Sequence, residues 1–183
     1  VMAIALSQTL APTLGGYINL YFNWQTIFIL SSSIALGVFF LAIKQLTETC
    51  KQKSKSLEVN QVLFQYSQVL KSKQYLGYAL STTFIACAFY LFIGSAPYIV
   101  VNYLDGNSAD FGNWFLMVAL AFMFGSICSG TLAKHLSINT MIFTGHSVSL
   151  LGAALLFYFN STDQMSYYGL FIPMSLLTFG RGL

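Results

Sequence analysis

The sequence predicts an all-α, polytopic membrane protein of about six transmembrane helices. Two observations carry that prediction. Charged residues make up 7% and hydrophobic residues 56%, where soluble domains carry about 25% charged residues. So few charges could not cover a water-facing surface. The charges also divide the chain into long apolar runs, and the first of these, residues 1 to 43, carries no charge before Lys44. Crossing the hydrocarbon core takes about 20 apolar residues, and the runs supply six such segments. The high Phe (17) and Tyr (11) content suits membrane interfaces and ligand-lined cavities. A net charge of +3 argues against a nucleic-acid partner.

The first span is expected over Val1–Tyr21 and the second over Trp24–Ile43. Between them Asn19-Leu20-Tyr21-Phe22-Asn23-Trp24 places two asparagines among aromatic residues, which suits a tight turn at headgroup level. The third span lies within Gln74–Leu104, an uncharged run of 31 residues. As one helix it would be about 46 Å long, so it must tilt, protrude or break. Phe92-Ile93-Gly94-Ser95-Ala96-Pro97-Tyr98 is the expected break, because Pro97 removes a hydrogen bond and clashes with the preceding turn. The fourth span lies within Phe111–Ala133, the fifth covers Thr140–Phe159, and the sixth runs from Tyr167 to the chain end. Gly94, Ser95, Gly125, Ser126, Ser129 and Gly130 are expected to let helices approach closely. Both chain ends read as lying inside membrane segments, which predicts an internal portion of a larger protein or a truncated reading frame.

Lys44, Lys51, Lys53, Lys55, Lys71 and Lys73 all fall between the second and third spans, and Lys134 and His135 between the fourth and fifth. Asp105, Asp110 and Asp163 fall in the alternate connections, which hold no Lys or Arg. The positive-inside rule therefore puts loop 44–74 in the cytoplasm, with spans running alternately outward and inward from the first. Within that loop Val59, Val62, Leu63, Tyr66, Val69 and Leu70 repeat at helical spacing, as an amphipathic helix on the inner face or against the bundle would.

Few residues stand out chemically. Pro12, Gly15 and Gly16 interrupt an apolar helix, and backbone groups freed there must be satisfied by neighbouring helices or a cavity; they read as a hinge. Phe84, Tyr90, Ser95, Pro97 and Tyr98 line the odd third span and are candidates for a substrate cavity. Arg181 is the one basic residue inside a predicted span, which is a functional signal by default. On an inward-running span it would snorkel to the inner interface, or meet an acidic partner or an anionic substrate group. His146 reads first as a hydrogen-bonded packing residue. Cys50, Cys87 and Cys128 have no metal or disulfide spacing. No phosphate loop, metal cluster or nucleophile triad is present, so no cofactor, metal or enzymatic activity is expected.

Several stretches carry a resemblance. Ala11-Pro12-Thr13-Leu14-Gly15-Gly16, followed by Asn23-Trp24-Gln25-Thr26-Ile27-Phe28, resembles the fifth-helix antiporter motif and sixth-helix start of the major facilitator superfamily, with Gln25 where an Arg usually follows the Trp. Phe92 to Tyr98 followed by Phe111-Gly112 is similar to the seventh helix and outer loop of its bicyclomycin-resistance (Bcr/CflA) group of drug/proton antiporters. Gly180-Arg181-Gly182 falls at a Gly-rich stretch of the tenth helix, where Arg is unusual. Gly130-Thr131-Leu132-Ala133-Lys134-His135 sits where the family has a Gly-x-Leu-Ala-Asp-Arg loop; with Lys and His in the last two places, that loop's salt bridge does not carry over. The resemblance implies helices five to ten of a twelve-helix fold. Residues 1–43 would be the last two helices of the N-terminal half, 44–74 the cytoplasmic central loop, and 75–183 the first four helices of the C-terminal half. It implies a multi-pass transporter of the bacterial inner membrane, exporting amphipathic small molecules in exchange for protons, with Pro12, Gly15 and Gly16 gating. An inactive transporter remnant, or a structural or regulatory membrane protein, is the alternative.

Overall fold

The structure, a computed structural model, describes residues 2–46, 59–162 and 165–183. Its elements are α1 (Met2–Tyr21), α2 (Trp24–Gln45), α3 (Val59–Lys71), α4 (Lys73–Asn102), α5 (Ser108–Leu132), α6 (Ile138–Ser161) and α7 (Tyr167–Gly182). There is no strand among the described residues. All six expected spans and the amphipathic segment are helices close to the expected bounds. By length and hydropathy α2, α4, α5 and α6 can each cross a membrane.

The expected break at Pro97 is absent, and the expected hinge at Pro12 does not interrupt its helix. α4 continues as one 30-residue helix through Gly94, Ser95 and Pro97, and α1 continues through Pro12. A proline deletes one hydrogen bond of the ladder, and the remaining turns hold each helix together. A third difference lies at α5, which begins at Ser108 rather than Phe111. The Asn107 side chain accepts from the amides of Ala109 (2.9 Å) and Asp110 (3.0 Å), and Asp110 Oδ2 accepts from the Asn107 amide at 2.9 Å. This reciprocal cap satisfies the first orphan donors and starts the helix a turn early.

The chain forms two compact units, Phe28–Ala88 and Val1–Ile27 with Phe89–Leu183. In the first, α2 buries none of its residues and exposes Phe28, Ile29, Phe39, Phe40 and Ile43. Such a surface belongs in lipid rather than water. Its hydroxyls are satisfied locally: Ser33 donates to Ile29 O (2.8 Å), and on α4 Thr83 donates to Ala79 O (2.7 Å). α3 leaves Leu63, Phe64, Tyr66 and Leu70 exposed. The expected lysines at 51, 53 and 55 lie outside the described residues.

In the second unit α7 packs against α5 and α6, and α1 against α5. Pairing across these contacts fixes relative direction. Trp114 stacks on Tyr167 near the start of both helices, and Ser129 donates to Leu183 O near their ends, so α5 and α7 are parallel. Gly152 meets Pro173 and Leu177 while Gly145 meets Gly180, so α6 is antiparallel to α7. Thr13 meets Gly112 and Asn19 meets Ser108, so α1 is antiparallel to α5. These directions agree with the alternation read from the lysines.

The core is aromatic at one level. Phe89, Phe111, Phe115, Phe171 and Trp114 interlock at ring-centroid distances from 5.5 to 6.4 Å, and Phe92 meets Phe171 edge-on at 5.8 Å. Below it, small residues take over. Gly125 is pressed against the Phe179 carbonyl, Gly145 and Gly180 face each other, and Gly182 faces Phe122 O. Gly125 thus packs as expected, whereas Gly94 and Gly130 have nothing within 4 Å of where a Cβ would be. Inter-helix hydroxyl bonds complete the layer: Thr178 donates to Val118 O and Ser149 to Leu177 O, both at 3.0 Å.

Candidate functional site

Two places carry the residues singled out in the sequence. The first is the seam between α1 and the start of α5. Gly16 is buried, and its bare Cα rests on the backbone of Ser108 and Ala109. One turn away in each helix the arrangement repeats with the roles exchanged. A Cβ on Gly112 would lie 2.8 Å from Thr13 Cα and 3.0 Å from Pro12 O. Two glycines, one on each helix, therefore bring the backbones into contact over a single turn.

Polar groups flank that contact. Thr13 Oγ1 donates to Gly112 O (2.9 Å), Tyr17 Oη to Asn113 Oδ1 (3.2 Å), and Asn19 Nδ2 to Ser108 Oγ (2.8 Å). Hydrogen bonds between membrane helices contribute about 0.6 kcal/mol each on average, so three add about 2 kcal/mol. That is the scale of a reversible two-state equilibrium rather than a permanent weld. Pro12 lies in the seam through its carbonyl. Gly15 does not, since nothing lies within 4 Å of its missing Cβ. Of the expected trio, Gly16 and Pro12 are brought to the contact. Gly112, Thr13 and Asn113 are seam residues that the sequence reading missed. A Gly four residues after Ser108 and two beyond an Asn-x-x-Asp cap was the available signal.

The second place surrounds Arg181. Its guanidinium lies over the Phe89 ring, 4.4 Å from the centroid, and 5.4 Å from that of Phe122. Its Nη1 is buried and has no hydrogen-bond partner among the described residues. Phe89 stands 16 residues from the start of α4 and 13 from its end, about 24 and 20 Å along the axis. Phe122 is 14 residues into α5 and 10 from its end, about 21 and 15 Å. The side chain therefore lies beside the middle of both neighbouring helices, well away from their ends. Cation–π contact with desolvated rings contributes up to about 2 kcal/mol, which holds the charge at this depth.

The α4 candidates divide. Phe89, Phe92, Ala96 and Val100 form its buried face, and Tyr90, Ser95 and Tyr98 lie on the exposed one. Tyr90 touches Phe89 edge-on at 5.7 Å, which brings it beside the ring that carries Arg181. Ser95 donates to Leu91 O (2.8 Å), Pro97 is half-buried, and Tyr98 stacks edge-on with Tyr103 at 6.1 Å. Phe84 belongs to the other unit, where it is 72% exposed. His146 Nδ1 meets Ile142 O at 2.7 Å on its own helix.

A sequence profile of the Major Facilitator Superfamily matches residues 1–183. The "Multidrug transporter MdfA" of Edwardsiella piscicida is 25% identical over 97% of this chain and 43% of its own length. The "Bicyclomycin resistance protein homolog" of Haemophilus influenzae is 24% identical over 77% of this chain and 36% of its own. The "Chloramphenicol resistance protein CraA" of Acinetobacter baumannii is 23% identical over 97% of this chain and 43% of its own. The chain thus spans less than half the length of these curated relatives.

Proposed function

The chain belongs to the major facilitator superfamily, and from that premise we propose that it is part of a proton-coupled multidrug efflux transporter of the bacterial inner membrane. It exports amphipathic small molecules, and its lysine-rich loop 44–74 is cytoplasmic. The names of its relatives, a multidrug transporter and two drug-resistance proteins, support the class of cargo. The observation that carries the mechanism is the α1–α5 seam. On the twelve-helix reading, α1 belongs to the N-terminal half and α5 to the C-terminal half, so Gly16 on Ser108 is a contact between the halves. Alternating access requires such a contact to close and open. Paired glycines with about 2 kcal/mol of hydrogen bonding do both. The seam lies at the end of α1 away from the lysine loop, so it is the outer gate. Among the described residues the one carboxylate in a membrane helix is Asp110, engaged in the α5 cap. The coupling carboxylates are accordingly assigned to the helices that precede α1 in a twelve-helix fold.

The test is drug susceptibility and dye efflux in cells expressing the full reading frame that encodes this chain, against a panel of unrelated amphipathic compounds. The expected result is resistance with the wild-type frame and its loss with Gly16→Leu at equal membrane abundance. Unchanged efflux by Gly16→Leu would remove the gating role. Wild-type expression without effect on any compound would remove the efflux reading.

A further inference from the structure

We propose that Arg181 is an anion site, which makes the transporter selective for amphipathic compounds that carry a carboxylate or a similar monoanionic group. A guanidinium stays charged in proteins, and a bare cation at mid-span is expensive unless something pairs with it. Phe89 and Phe122 supply quadrupole contact on the ring faces, but a ring face accepts N–H bonds only weakly and without the in-plane geometry of the fork. Nη1 is buried and has no acceptor among the described residues. No Asp or Glu of the described residues stands at this level. Asp105 lies beyond the end of α4, and Asp110 is in the first turn of α5, some 12 residues from Phe122.

The fork geometry selects the missing partner. Planar guanidinium and carboxylate groups match through two parallel hydrogen bonds. Phe89 is buried, so the apolar body of the same molecule would lie on the half-buried Phe122 ring beside the cation. Tyr90, edge-on to Phe89, extends that aromatic wall on α4. The inference rests on the efflux reading for the source of the anion; a carboxylate side chain elsewhere in the fold is the competing source, and the experiment separates the two.

The experiment uses the full-length protein purified in detergent and the matched probes 1-naphthoate and 1-naphthamide, which differ in charge but hardly in shape. Thermal unfolding is followed for the wild type, Arg181→Gln and Arg181→Lys. The expected result is stabilisation of the wild type by naphthoate and not by the amide. Arg181→Gln should bind naphthoate about tenfold to a hundredfold more weakly, the range of a charge-assisted hydrogen bond. Arg181→Lys should keep part of the response. Naphthoate binding that is equal in the wild type and Arg181→Gln would overturn the site. So would a wild type indifferent to naphthoate while Arg181→Gln unfolds at lower temperature, because an internal carboxylate would then hold the guanidinium. Efflux of the two probes from cells is measured in parallel. Loss of naphthoate export alone in Arg181→Gln supports the site. Selective binding with no export of either probe leaves the anion site standing, and the compound panel above then decides the efflux reading.

Discussion

A methyl group added to Gly16 would run into the Ser108 carbonyl, a backbone atom fixed in the first turn of α5. The same methyl on Gly15 would meet nothing within 4 Å. Gly16→Ala should therefore cost about 1–3 kcal/mol, as overpacking does, and push α1 away from α5. Gly15→Ala should be neutral or stabilise by up to about 1 kcal/mol through helix propensity. Thermal unfolding of the two variants, with dye efflux read on the same preparations, checks the contrast; equal behaviour would dissolve the seam as described. Removing the hydroxyl alone is the gentler probe. Thr13→Val keeps the shape, loses the bond to Gly112 O, and should cost about 0.6–1.7 kcal/mol of seam stability. That is enough to weaken the seam without unfolding the helix, and it should appear as a small fall in the temperature of thermal unfolding. The sequence flagged the glycine pair but not which member packs. Adjacent helical residues point about 100° apart, and the rotation of α1 about its axis is set by α5, far along the chain. Gly112 was hidden for the same reason. Arg181 was legible as a charge in an apolar span. Its depth depends on how far α7 stands along α4 and α5, which no local pattern encodes.

At the scale of elements, most of the structure was legible because hydrophobic length is a one-dimensional signal. Spans of about 20 apolar residues between charges identified every membrane helix, and the period of Val59 to Leu70 identified α3. The failures were at punctuation. Pro97 read as a break and Pro12 as a hinge, yet both lie inside continuous helices. Inside an apolar environment every backbone group must be bonded, so abandoning the ladder costs more than the one bond that proline deletes. The start of α5 was read too late because the Asn107–Asp110 box was taken as loop. Asn107→Ala removes the acceptor for two amides and should lower stability by about 1 kcal/mol. Asp110→Asn should lose less, since one donor is affected; a reversed ranking in thermal unfolding would argue against the box. The elements also differ in how firmly they are held. α7 is held by both α5 and α6, while α1 packs mainly against α5 alone. Motion that opens a path between helices is accordingly expected at α1–α5 first. Gly180→Val, which would drive a branched side chain into Ser149 and the Gly145 backbone, should abolish folding rather than tune it.

For the whole molecule, sidedness is the property that gives the proposed efflux its direction. Helices α1, α5, α6 and α7 alternate or run parallel as their contacts dictate, so fixing one end of one helix fixes the side of all their ends. The lysines supply the choice. Lys134 and His135 lie in the α5–α6 connection, whereas the α6–α7 connection, from Thr162 to Ser166, holds no Lys or Arg. On the proposed orientation, cytoplasmic Lys retention puts the seam at Gly16–Ser108 on the outside. It places Arg181, on the inward-running α7, below the aromatic layer that Trp114, Phe115 and Phe171 form. In a full-length background with Cys50, Cys87 and Cys128 replaced, a cysteine at Asn160 should react with a membrane-impermeant maleimide on intact cells. A cysteine at Lys134 should react only after permeabilisation. The reverse pattern would invert every helix together, turn the outer gate into an inner one, and make the efflux assignment untenable. Labelling of both sites on intact cells would contradict α6 as a span, although its 24 residues are long and apolar enough to cross. The two cysteines therefore test direction and topology at once. They can do so because α6 packs against α7 by backbone contact at both Gly145 and Gly152, which leaves no freedom for the helix to reverse alone.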